Sequence, residues 1–252
     1  MQLTHIGLLT LLLAGIPDAG AASDKQALNL EDVIARVTET AGGATAIENV
    51  HAVRISIHIA DPGKFEVDGV YHAARPGRMR IDITADGERV YTERFDGQKG
   101  WQWQKEKGEQ EAGPTPTAAL RHGVESPGKL FGLHEMRERG HRLDLRARET
   151  IDGTNYYVIH ATFADGDETT LYVDPETWRI TRRRDVRALH PDVDPAPVTI
   201  ESRNSDWRQV DGVWFAFAGE DVDAKTGVVI ETSKVKEIKV NPTLDPAIFE
   251  NE

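Results

Sequence analysis

The sequence predicts a mainly β (α+β) domain: one large antiparallel sheet that curves, with an N-terminal helix and a helical insertion to cover its apolar face. Three observations predict it. Apolar and polar residues alternate with period two through most of the chain, turn dipeptides rich in Asp and Gly punctuate the alternation at short intervals, and two stretches break it with helical spacing. Period-two strands linked by tight turns make antiparallel pairs with one apolar and one polar face.

The first helical stretch starts at Asn29, a side chain that can cap a helix, and carries Leu30, Val33, Ile34 and Val37 on one stripe before Gly42-Gly43 ends it. A short turn of helix over 44–50 brings Ala46 and Ile47 to the same side. Val53, Ile55, Ile57 and Ile59 then alternate with polar residues in a first strand that closes at Asp61-Pro62-Gly63. The run from Phe65 to Trp103 is the most regular part of the chain. Its apolar positions are Phe65, Val67 and Tyr71, then Met79, Ile81 and Ile83, then Tyr91 and Phe95, then Trp101 and Trp103. Arg75-Pro76-Gly77, Asp86-Gly87 and Asp96-Gly97 separate these groups, so the run reads as four strands.

The second helical stretch follows a charged, Gly-containing tip at 106–111 and the breaker cluster 113–117. It reads as two short helices over 117–139, interrupted at Ser126-Pro127-Gly128, with Ala119 and Leu120 on the first and Leu130, Phe131, Leu133 and Met136 on the second. An insertion within a long meander has to lie across a face or an edge of the sheet, and these apolar residues assign it to the apolar face. Strands return over 143–151, 156–163, 169–173, 178–186, 198–206, 213–218 and 228–240, and 187–197, with three prolines, is an edge loop. Eleven or twelve strands in one sheet curl or close.

Composition narrows the function. The 252 residues are 39% apolar and 29% charged, enough for one domain with a sizeable core. A net charge of −12 and a pI near 5.2 exclude the basic stripe that nucleic-acid binding requires. The absence of cysteine removes disulfides, thiolate metal sites and thiol nucleophiles. Residues 6–16 form an uncharged apolar run, followed by Pro17 and by the small residues Ala19-Gly20-Ala21-Ala22, which offer a cleavage site after Ala21 or Ala22. Residues 1–22 therefore read as a signal peptide, and 23–252 as one exported domain.

Local catalytic motifs are missing. His134 and His141 stand seven positions apart in HEMRERGH instead of the four of a zinc-protease helix, and Gly140 ends the helix before the second ring. There is no G-x-S-x-G, phosphate loop or dinucleotide fingerprint, and the acidic turns at 165–168 and 192–194 lack calcium-loop spacing. Neither a metal nor a cofactor is expected. Arg179, Arg182, Arg183 and Arg184 read as a solvated strand face, and the aromatics Trp178, Trp214, Phe215 and Phe217 as core or as the wall of a cavity.

Gly69 to Arg80 (GVYHAARPGRMR), Val90-Tyr91 and Phe95 to Trp101 (FDGQKGW) resemble the signature of periplasmic lipoprotein-localisation factors, the LolA/LolB-like group. Asn241 to Phe249 (NPTLDPAIF) is similar to the N-P-x-x-D-x-x-x-F ending of the wider outer-membrane lipoprotein-sorting superfamily. The resemblance implies a half-open β-barrel in the periplasm whose concave face is plugged by helices and accepts the acyl chains of a lipid or lipoprotein. It also implies an arginine that holds the lid by hydrogen bonds to its backbone, a role for which Arg54 on the first strand is the candidate. The acyl-chain residues expected on this reading are Ile55, Ile57, Tyr71, Met79, Ile81, Tyr91, Trp101, Trp103, Leu130, Phe131, Met136 and Phe215. The protein is then a monomeric, non-catalytic carrier with a possible envelope protein partner. A periplasmic sensor or adaptor on the same scaffold and an exported hydrolase with carboxylates converging from distant strands are the alternatives.

Overall fold

The computed structural model describes residues 28–188 and 196–250. The signal-peptide reading and the acidic turn at 192–194 lie outside the described residues. The first helix, α1 (Leu30–Thr40), starts where expected. Asn29 accepts a hydrogen bond from the Asp32 amide while Asp32 accepts one from the Asn29 amide, a reciprocal capping box. A second helix, α2 (Ala44–Glu48), follows after Gly42 and Gly43.

One antiparallel sheet of thirteen strands accounts for the rest of the architecture. Its first six strands are β1 (Ala52–Asp61), β2 (Phe65–Ala74), β3 (Arg78–Ala85), β4 (Glu88–Phe95), β5 (Gly100–Gln104) and β6 (Gly108–Glu111). The last seven are β7 (Arg142–Ile151), β8 (Thr154–Thr162), β9 (Glu168–Val173), β10 (Ile180–Arg187), β11 (Val198–Val210), β12 (Val213–Asp223) and β13 (Val229–Val240). Within each group every strand pairs with its neighbour in sequence. The groups join through β1 and β13, which places β6 and β7 at opposite free edges. The sheet curves without closing.

Two sequence expectations change here. The charged tip at 106–111 contains a strand, β6, because its backbone pairs with β5 although its side chains carry no apolar alternation. The insertion holds one regular helix, α3 (Pro114–Glu125), and then a loop with a single 3-10 turn at His134–Met136. Leu130, Phe131, Leu133 and Met136 are buried all the same. Ser126-Pro127-Gly128 sets the course of that segment, and its apolar side chains mimic helical spacing because each is buried from a loop.

Two apolar clusters fill the concave face. One gathers Val53, Ile55, Tyr71, Met79, Phe95, Phe215 and Ile238 under Ile47 of α2, Leu120 and Val124 of α3, and Leu130 and Phe131. The other packs Val33, Ile34 and Val37 of α1, with Leu133 and Met136, on Leu143, Ile159, Leu171 and Val173. The convex face is mainly polar, apart from a small cluster of Tyr156, Val158 and Tyr172 and the site of the C-terminal segment. Phe249 is buried there against Ala52 and Ala74 under the Arg78 guanidinium. The C-terminal motif explains the placement. Asn241, at positive φ, accepts from the His51 and Ala52 amides and donates to the Asn49 carbonyl, and Asp245 caps the turn that delivers Phe249.

Two glycines should respond to alanine in opposite directions. Gly42 has φ +126°, and a Cβ there would stand 2.3 Å from the Gly212 carbonyl oxygen, at the point where the Trp214 amide bonds the Ala41 carbonyl. Gly123, inside α3, has no atom within 4 Å of a Cβ. Gly42→Ala should lower unfolding stability by about 2–4 kcal/mol, and Gly123→Ala should raise it by about 0.5–1 kcal/mol, both read from urea unfolding midpoints.

Candidate functional site

Between the two clusters the concave face encloses a cavity of about 380 Å³. Its apolar wall comes from Ile55, Ile57, Tyr71 and Ile81 of the first half, Phe215, Val235 and Ile238 of the second, and Leu171 and Ile180 beyond them. Val37 of α1, Ile47 of α2 and Leu130, Phe131 and Leu133 of the insertion form its cover. Strand alternation places these residues together. Paired residues share a face, so Ile55, Tyr71 and Ile81 form one continuous row across three strands.

The cover is held by Arg75, at the start of the β2–β3 turn. Its guanidinium donates from Nε to the Val50 carbonyl (2.8 Å), and from Nη2 to the carbonyls of Ile47 (3.2 Å) and Leu130 (3.1 Å). Both Nη atoms also bond the buried Glu135 carboxylate, at 2.5 and 3.2 Å. Glu135 accepts the Gly132 amide as well (2.7 Å). Burial raises the Glu135 carboxyl, but the hydrogen bonds from Arg75 and Gly132 outweigh it and hold the group below its ordinary value. Phe131 lies between the guanidinium groups of Arg75 (4.6 Å) and Arg139 (3.5 Å). One side chain thus ties the sheet to α2 and to the insertion.

Arg54 does not do this. It sits on the convex face, between His72 and Lys239 in register, and bonds Ser56 (3.1 Å) and Glu237 (3.4 Å). The arginine that reaches the backbone of the cover is Arg75, because the β2–β3 turn, not the face of β1, abuts α2 and the insertion.

Of the residues expected to contact acyl chains, Ile55, Ile57, Tyr71, Ile81, Leu130, Phe131 and Phe215 line the cavity. Met79 and Met136 are buried in the two clusters behind it. Tyr91 lies farther out on the concave face, paired with Ile83, and its hydroxyl bonds Glu93 (2.9 Å). Trp101 and Trp103 are on the opposite face. Phe95 pairs with Gly100, so the next residue, Trp101, pairs with Arg94 and points the other way, and Trp103 stacks under Arg89 (4.0 Å).

Several residues of the cavity carry little signal in the sequence. Trp207 and Lys129 carried no signal, and Trp178 and Trp214 were two aromatics among many; all four line it. The arginine run is no solvated face. Arg182 and Arg184 point to the convex side, where with Arg203 they surround the buried Glu201 at 2.7–2.8 Å. Arg183 points to the concave side, pairs with Asp185 (2.8 Å) and bonds Ser126 (3.2 Å). His134 and His141 have separate partners, Thr38 with Glu48 and Ala164 with Glu125.

One end of the cavity is polar. Asp221 and Glu231 face each other across β12 and β13, and Asp221 pairs with Arg187 (3.1 Å). Burial, then the neighbouring Asp221 charge, pushes the Glu231 carboxyl up to about 7. Among the described residues no helix is long and apolar enough to cross a membrane.

No family model matches the sequence, and no curated protein matches it. Solved structures do. A LolA superfamily protein of Nitrosomonas europaea superposes with a TM-score of 0.56 at 15% identity, over 89% of this chain and 99% of that one. A DUF1329 family protein of Desulfovibrio piger gives 0.58 at 13%, over 87% and 96%. A domain of Vibrio parahaemolyticus described as a candidate outer membrane lipoprotein-sorting protein gives 0.57 at 10%, over 87% and 95%.

Removing Arg75 leaves the Glu135 carboxylate buried without its cation, so Arg75→Ala should cost about 3 kcal/mol. Arg54→Ala, which breaks a half-exposed pair, should stay within about 0.5 kcal/mol in the same urea titration. Glu231 titrates higher folded than unfolded, so the folded protein retains a proton the unfolded chain has lost. Its contribution to stability therefore falls as pH rises from 4.5 towards 7. Glu231→Gln should remove that slope and gain on the wild type by on the order of 2 kcal/mol between pH 5 and pH 8. Equal stability differences at the two pH values would contradict this.

The strand order, the helical cover and the superpositions together give this chain a LolA-like fold.

Proposed function

We propose that the protein is a periplasmic carrier that holds the acyl chains of a lipid or lipoprotein in the concave cavity, released into that compartment by cleavage of the leader after Ala21 or Ala22. The observation that supports this reading is a cavity walled by aliphatic and aromatic side chains and roofed by segments anchored mainly at one node, Arg75. Burial of apolar surface is non-directional, so an acyl chain can replace a roof contact at little net cost, and a carrier must release as well as bind. The fold likeness to a candidate lipoprotein-sorting protein points the same way.

Purified from an envelope fraction, the protein should carry acyl lipid, detectable by native mass spectrometry. Delipidated protein should bind fatty acids with quenching or enhancement of tryptophan fluorescence from Trp178, Trp207 and Trp214, a change that persists in the Trp101→Phe, Trp103→Phe double variant. Each two methylenes removed from the chain should weaken binding by about tenfold, from ~0.8 kcal/mol per buried CH2. No bound lipid together with no fatty-acid binding would overturn the carrier reading, and a protein that co-purifies in place of lipid would favour an adaptor on the same scaffold.

A further inference from the structure

The cavity is not uniformly apolar, and its polar groups are not evenly neutralised. Lys129, in the loop after α3, reaches over the Tyr71 ring with its Nζ 4.9 Å from the ring centre. The residue lines the cavity and is exposed, and the protein around its ammonium desolvates it and lowers it to about 8, still protonated at neutral pH. Arg179, stacked on Trp214 (4.4 Å) and Trp207 (5.4 Å), lines the same space. Among the described residues neither cation has a carboxylate within ion-pair distance. Of the other charged residues that line the cavity, Arg183 pairs with Asp185, Arg203 with Glu201 and Asp221 with Arg187, and burial raises the Glu231 carboxyl to about 7, so that it is about half protonated at neutral pH.

A second observation stands independently of charge. Tyr71 is 93% buried, being 7% exposed, and its hydroxyl has no hydrogen-bond partner. A buried, unpaired hydroxyl costs about 1–3 kcal/mol in protein interiors. It lies in the apolar row between Ile55 and Ile81, where a residue serving only to wall off hydrocarbon would be better as Phe.

We propose that the cavity seats a single-chain amphiphile with an anionic head, a carboxylate or a phosphate monoester, held between the Lys129 ammonium and the Tyr71 hydroxyl, with its tail along Ile55, Ile57, Ile81 and Val235. The proposal rests on the carrier reading and adds the chemistry of the head. The ammonium and the hydroxyl can both donate to an oxyanion, which also balances the Lys129 charge; a neutral ester can accept the same two bonds but leaves that charge unneutralised, and a protonated amine is repelled by it. Arg179 adds a second positive charge to the lining. The acidic residues do not reverse the sign, because Asp221 and Asp185 are already paired.

The test is displacement of the neutral dye N-phenyl-1-naphthylamine from delipidated protein at pH 7 by four compounds of one chain length: palmitate, palmitoyl lysophosphatidate, methyl palmitate and monopalmitoyl glycerol. At least one of the two anions should displace the dye at about one tenth the concentration needed by the neutral pair, the advantage of charge-assisted hydrogen bonds. Which anion does so distinguishes a fatty acid from a lysophospholipid. The ratio of anionic to neutral potency should collapse toward one in Lys129→Met, narrow in Tyr71→Phe, and be restored in Lys129→Arg. If Lys129→Met no longer takes up the dye, the ratio in Tyr71→Phe decides. Equal potency of all four compounds in the wild type, or a ratio unchanged in the variants, overturns this proposal and leaves the carrier reading standing. Failure of the wild type to bind the dye or any of the four overturns both.

Discussion

The architecture follows from where the chain begins and ends its sheet. The first and last strands pair with each other in the middle, so the two meanders grow outward and leave β6 and β7 at opposite edges. The chain must travel from one edge to the other between Glu111 and Arg142, and α3 and the loop after it make that journey. Passing over the concave face buries the apolar side chains of the segment. Passing over the polar convex face would expose them. The cover is therefore a consequence of topology, and its apolar underside a consequence of the route.

A roof of loop and short helix needs fixing, since most of its backbone groups have no regular partner. Arg75 supplies the fixing with donors that meet three carbonyls and a buried carboxylate. Its planar fork suits the task, because several acceptors in different directions can be met by one rigid group. Glu135 completes the node by accepting the Gly132 amide, which links the loop to itself as well as to the sheet. The α1 side is held mainly by Val33, Ile34 and Val37 packing against Leu133 and Met136, with Thr38 bonding His134 and Glu31 pairing with Arg137 at its margin.

The opposite face carries the charge. Arg80 with Asp82, Arg94 with Glu109, and the three arginines around Glu201 are arranged along convex rows. This division explains a composition at once highly charged and able to build a cavity: alternation sends one set of side chains to water and ion pairs, the other to hydrocarbon. The C-terminal segment bridges the two worlds, with Arg80 and Arg94 donating to the Ile248 and Glu250 carbonyls around the buried Phe249.

The sequence by itself determined every strand but β6, the turns, the capped first helix and the need for a cover, because these depend on local periodicity and on the backbone angles that Gly, Asp and Asn permit. It also determined most of the apolar wall: Ile55, Ile57, Tyr71 and Ile81 alternate on strands whose inward face is set by composition. Tertiary structure decided what depends on register across turns and on contacts distant in sequence. Whether Trp101 continues the face of Phe95 turns on a hairpin that pairs Phe95 with Gly100, and a shift of one residue there reverses every side chain beyond it. Whether Arg54 or Arg75 meets the cover depends on carbonyls 25 to 55 residues away from Arg75, offered by segments with no pattern of their own. Lys129 stands in a loop with no periodicity at all. Its place over Tyr71 exists because the chain, having left the sheet at one edge, had to cross the concave face to reach the other.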